Sequence, residues 1–145
     1  MSYALPKLDK PPVVESAGEV ELARWKREAL GKLAELAALP ENWDSYGSPA
    51  VQPLARQRAA DLLDLLGQFK LPAPQIFPVP GGGLQLEWQK AGGGMELEIL
   101  PDGSLEFLIE DADGQMREGG LAFSREDLAR MSLWFTRSQA RVVEF

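Results

Sequence analysis

The sequence predicts an α+β fold: a helical hairpin, then an antiparallel β-meander of four to five strands, then a C-terminal helix, with the helices packed on one face of the sheet. Three observations predict it. Apolar residues recur every three or four positions between Leu22 and Leu66. From Pro72 the period changes to two. Clusters of Gly, Pro and Asp then break the alternating runs at short intervals, as hairpin turns require. The chain has 145 residues, enough for one domain with its own core. We expect a flexible, proline-rich tail over 1–18 and a single domain over 19–145.

The first helix is expected from Glu19 to Leu39, its start marked by Ser16 or Gly18. Leu22, Trp25, Ala29, Leu33 and Leu36 form its apolar stripe, widened by Leu30 and Ala37. Pro40 disfavours helix at Leu39 and ends it. The second helix is expected from Pro53, where a missing N–H costs nothing, to Leu66. Its buried stripe is Ala55, Ala59, Leu62, Leu63 and Leu66, and Gly67 is expected to close it in the left-handed conformation.

Gln75–Val79 reads as a short edge strand because Pro78 cannot donate to a ladder. Leu84, Leu86 and Trp88 alternate with Gln85, Glu87 and Gln89. Met95, Leu97 and Ile99 alternate with Glu96, Glu98 and Leu100, and Leu105, Phe107 and Ile109 continue the inward set. Hairpin connections are expected at Lys90–Gly94, at Pro101–Gly103 and at Asp111–Gly114, the last leading to a strand over Gln115–Leu121. Ser124, with Asp127 three residues on, approximates a capping box for the final helix. Leu128, Met131, Trp134 and Phe135 are its expected buried side, and the terminal Ala140–Phe145 is expected as a short strand.

Composition removes several chemistries. The chain has no His and no Cys. Imidazole general bases, Ser-His-Asp and Cys-His catalysis, thiolate metal sites and disulfides are therefore excluded within it. No cofactor or metal motif is present: Gly81–Gly83 and Gly92–Gly94 neither precede Lys-Ser/Thr nor open a helix, as a phosphate cradle requires. The pair Pro101–Asp102 lies in a turn and is not followed by Glu-x-Lys, so it does not make a restriction-type nuclease site. Scarce Asn and Thr, one of each, and absent Cys match a tendency of heat-adapted proteins; high genomic GC content biases composition the same way. The N-terminus lacks the basic region and long apolar core of a secretory signal, and no apolar run approaches the roughly 18 residues of a membrane span. The expectation is a cytoplasmic protein with no membrane association.

The net charge of −7 lies wholly between Gln75 and Phe123, which hold nine acids against two bases. In a meander Glu87, Glu96, Glu98 and Glu106 share the outward face. Such a face repels nucleic-acid phosphates and suits a basic protein partner. Arg24, Lys26 and Arg27 on the first helix, and Arg125, Arg130, Arg137 and Arg141 on or beyond the last, are interspersed with acids and read as solvated faces. Pairing of edge strands or packing of helices into a homodimer stays open at this stage.

The stretch Glu41-Asn-Trp-Asp-Ser-Tyr-Gly-Ser-Pro49 connects the first two helices. Asn42 and Asp44 can set turns through bonds to nearby backbone N–H groups. Trp43 and Tyr46 can each bury about 150–250 Å². The preferred reading is a clasp in which both rings anchor a long loop; the alternative is an exposed recognition loop. Residues Leu36 to Ile109 resemble a widespread family of small bacterial proteins with an Asn-Trp-Asp-x-Tyr-Gly loop (here Asn42–Gly47), a helix and a Gly-rich β-hairpin region. The resemblance implies a shared fold and a shared clasp, and assigns no catalytic residue.

The function favoured by these features is a non-enzymatic protein-binding module of bacterial or phage origin, of antitoxin, immunity or accessory-subunit type, presenting an acidic sheet face. Its candidate binding residues are Asn42, Trp43, Asp44, Tyr46, Glu87, Glu96, Glu98 and Glu106. The alternative is a carboxylate-dependent metal hydrolase or nuclease holding a divalent ion on Asp44 or on the four glutamates. A second alternative is a small-ligand-binding domain with Trp43, Tyr46 and Trp88 around a pocket.

Overall fold

In the computed structural model two helices, a five-stranded sheet and a third helix follow one another along the chain. The structure describes residues 17–69, 71–90, 93–111 and 113–143, with backbone alone at 90, 134 and 136–143. Helix α1 spans Ala17–Ala37 and α2 spans Pro53–Leu66, followed by a 3₁₀ turn at Gly67–Phe69. Strands β1 (Gln75–Val79), β2 (Gly83–Lys90), β3 (Gly93–Ile99), β4 (Leu105–Glu110) and β5 (Met116–Leu121) lead to α3 (Arg125–Val143). The sheet is an antiparallel meander in the order β1-β2-β3-β4-β5. This is the α+β architecture that the change of period predicts.

Alternation decides which side of the sheet is buried. Leu84, Leu86, Trp88, Met95, Leu97, Ile99, Leu105 and Ile109 all point inward and are buried. They meet Ala55, Ala59, Leu62, Leu63 and Leu66 of α2, the whole predicted stripe of that helix. Each large side chain so buried contributes about 1.5–3 kcal/mol, so this interior carries the fold. Helix α2 lies on β2 and β3, α1 reaches β1, and α3 packs on α2 and the 3₁₀ turn. Ser124 caps α3 by accepting the N–H of Asp127 at 3.1 Å. Leu128, Met131 and Phe135 are buried as expected.

Three local expectations are corrected. Gly67 has φ −58°, right-handed, so α2 runs on into the 3₁₀ turn instead of closing. A Cβ at Gly67 would lie 2.8 Å from Leu22 Cδ1, so the missing side chain accommodates α1. On α1 Leu22 and Leu30 are exposed and Trp25 is half-buried against the core, leaving Ala29, Leu33 and Leu36 as the buried stripe. Residues 140–143 continue α3 and form no strand, because nothing between Arg125 and Val143 breaks the helix. The expected tail lies outside the described residues except for Ala17 and Gly18, which are helical; Ser16 and residues 144–145 also lie outside.

Candidate functional site

Two regions carry the candidate residues: the loop joining α1 to α2, and the outward face of the sheet.

The loop is held by its own polar groups. Asn42 Oδ1 accepts the N–H of Gly47 at 2.7 Å, and the N–H of Asn42 donates to Ser48 O at 2.7 Å. Asp44 Oδ1 accepts the N–H groups of Tyr46 and Ser48 at 3.0 and 3.2 Å, and its Oδ2 accepts the Ser48 hydroxyl. That hydroxyl, aided by the two N–H groups, holds the Asp44 carboxyl below its ordinary range. Asn42, Ser45 and Gly47 have φ of 63°, 66° and 84°, so three left-handed residues turn the chain within six positions. Trp43 is half-buried and donates its indole N–H to Pro49 O at 3.2 Å.

Tyr46 corrects the two-ring clasp: it is 92% exposed. Asp44 draws the backbone of residues 46 and 48 inward, which turns the Tyr46 side chain out. Gln52 N–H donates to Gly82 O at 2.9 Å, seating the loop's exit on the β1–β2 turn. Trp88 is buried in the core and gives its indole N–H to Pro72 O at 2.7 Å. Trp43, Tyr46 and Trp88 thus have three different roles.

The turn aspartates of the sheet repeat the role of Asp44. Asp102 Oδ1 accepts the N–H and hydroxyl of Ser104 at 2.9 and 2.7 Å, which lowers its carboxyl below the ordinary range, the hydroxyl contributing most. Asp111 Oδ1 accepts the N–H groups of Asp113 and Gln115 at 3.0 and 2.9 Å. These carboxylates serve the backbone of their own turns.

The sheet glutamates differ. Glu87 stands directly opposite Glu96 across β2 and β3, and Glu98 opposite Glu106 across β3 and β4. The same parity places Glu110 and Glu118 on this face, opposite Met116 and Leu108. No outward position of the five strands holds Lys or Arg. Like charges directly opposite one another destabilise a pair of strands. Glu96 registers the conflict: partial burial, then the charges of Glu87 and Glu98 and a hydrogen bond with Glu87, push its carboxyl up. A concavity of about 580 Å³ lies over Glu96, Glu98, Glu106, Leu108 and Glu118. A second, of about 260 Å³, lies over Glu87, Glu96, Glu110 and Met116. Leu108 faces outward among these acids, and the parity of β4, which puts Leu108 with Glu106, was the signal in the sequence.

Among the described residues no group of three or more carboxylates is arranged to hold a metal ion. No described helix is long and apolar enough to cross a membrane. In comparisons with known proteins, no family model, no curated protein and no solved structure matches the chain.

Proposed function

We propose that the chain is a non-enzymatic protein-binding module, of antitoxin, immunity or accessory-subunit type, whose glutamate-lined sheet face receives a basic partner. One observation carries this reading: six outward glutamates share a face on which no strand position is cationic. On the helical side the acids have basic neighbours instead, as in Arg24–Glu21, Lys26–Asp64, Lys32–Glu35 and Arg130–Asp127. A partner's Lys and Arg side chains relieve the repulsion between Glu87 and Glu96 and between Glu98 and Glu106, so binding gains from both attraction and relief. The hydrolase reading is weaker, because the oxygens of Asp44 are engaged by its own loop and the glutamates offer no metal cluster.

The test is an amide-shift titration with a lysine octapeptide. The expected shifts fall on β2, β3 and β4 and largely vanish when Glu87, Glu96, Glu98 and Glu106 are all changed to Gln. Shifts scattered over the helices, or unchanged in the variant, would remove the reading.

A further inference from the structure

A groove of about 780 Å³ lies between the first turns of α1 and the stretch that leads from the 3₁₀ turn toward β1. Leu22 and Trp25 line it from α1, and Gly67, Leu71, Pro72 and Ala73 line it from the other side. That other side is fixed to the interior, because Leu71 is buried and Pro72 O accepts the indole N–H of Trp88 at 2.7 Å. The α1 side is unfinished. Leu22 is exposed, and the indole N–H of Trp25 is buried with no acceptor among the described residues. A buried donor without an acceptor costs free energy. The groove therefore suits an occupant that is apolar and brings a carbonyl oxygen.

The chain itself carries such a segment to the mouth of the groove. Residues 1–16 lie outside the described residues and lead directly into α1 at Ala17, and Gly18 already lines the groove. Trp25 lies eight residues beyond Ala17, a distance of about 12 Å along a helix. Four extended residues span about 13 Å. Folded back along α1, Val14, Val13 and Pro12 therefore come level with Leu22 and Trp25. Pro11 and Pro12 favour polyproline geometry, which leaves the backbone carbonyls free of internal hydrogen bonds. Segments of that kind dock in aromatic-lined grooves. The tether favours this occupant over a separate chain of like sequence, because a short linker holds it at an effective concentration of about millimolar.

We infer that Pro11–Val14 forms a strap across this groove, placing its apolar side chains on Leu22 and Leu71 and a backbone carbonyl on the Trp25 indole N–H. The strap gives the proline-rich segment a seat in place of the flexible tail that its composition suggests. It is independent of the acidic sheet face.

The chain has no Cys, so Lys10→Cys carries a single nitroxide label on the full-length protein. The expected result is paramagnetic loss of at least half of the amide signal at Leu22, Trp25, Gly67 and Ala73, and of the Trp25 indole signal, with β3, β4 and β5 little changed. Changing Val13 and Val14 to Asp in the labelled chain should restore the signals at Gly67 and Ala73 and shift the Trp25 indole resonance. No loss at the groove, or loss spread evenly over the surface, would overturn the inference. Loss that persists in the Asp variant would also overturn it, since closeness to the start of α1 would then suffice. The same loss on an unlabelled, ¹⁵N-enriched chain mixed with the nitroxide-labelled one would overturn it too, because a second copy would then fill the groove.

Discussion

Gln52 donates its backbone N–H to Gly82 O at 2.9 Å, joining the exit of the aromatic loop to the first glycine turn of the sheet. Two stretches that are thirty residues apart in sequence are therefore one structural unit. Gly82 is buried with φ +101°, and a Cβ there would meet Gln52 Cγ at 2.8 Å and Ala50 O at 3.2 Å. Gly81 has φ +102° with nothing within 4 Å. Gly81→Ala should cost about 1–2 kcal/mol for its backbone conformation alone. Gly82→Ala should cost about 1 kcal/mol more, through the added crowding. Urea denaturation of both variants checks the order; equal losses would mean that the contact carries no weight.

The loop's two rings should separate cleanly in thermal melts. Trp43→Ala removes a half-buried ring and the bond to Pro49 O, and should cost about 2 kcal/mol. For a domain of this size that is a fall of roughly 4–8 °C. Tyr46→Ala should change stability by less than about 0.5 kcal/mol, as for an exposed site. A large fall for Tyr46→Ala would restore the two-ring clasp.

Asp44 gives a pH signature. A carboxyl held below its ordinary 3.8 adds stability above that value and loses it as pH falls through the depressed folded value. The stability gap between the wild type and Asp44→Asn should therefore narrow in acid. Ser48→Ala removes the leading cause and should move the Asp44 titration, followed by carboxyl carbon NMR, back toward 3.8. Asp102, held by Ser104 in another turn, should not move.

Glu96 should behave with the opposite sign. A carboxyl raised above its ordinary 4.5 holds its proton more tightly when folded, so stability declines as pH rises from 4.5 through the folded value. Glu96→Gln removes the charge opposite Glu87 and should stabilise the protein at pH 7 by a few tenths of a kcal/mol, with little gain at pH 4. A loss at pH 7 would show that the glutamate pair is not in conflict.

What was legible in the sequence followed from periodicity. The α2 stripe from Ala55 to Leu66 and the inward set from Leu84 to Ile109, apart from the half-buried Phe107, are buried as their spacing predicts, because one wrong step would expose every apolar side chain. The outward placement of Glu87, Glu96, Glu98 and Glu106 came from the same rule. The misses arose where local geometry outweighs pattern. Gly67 suits either hand, and the proximity of Leu22 from a distant helix is invisible in sequence. The outward turn of Tyr46 depends on the bonds Asp44 makes to residues 46 and 48, a matter of loop dihedrals. The apolar spacing of α1 did not reveal that Leu22 and Leu30 stay exposed while Trp25 packs half-buried against the core. Arg58, which bonds Gly103 O at 3.2 Å and lies 4.3 Å over the Phe123 ring, ties α2 to the β3–β4 turn and carried no sequence signal.

The most direct measurement is quantitative capture from the native host's lysate on two immobilised proteins: the wild type, and the variant with Gln at positions 87, 96, 98 and 106. The account predicts a basic protein retained by the wild type at about 0.15 M salt, released as screening increases, and absent from the variant. The same protein retained equally by both would contradict it.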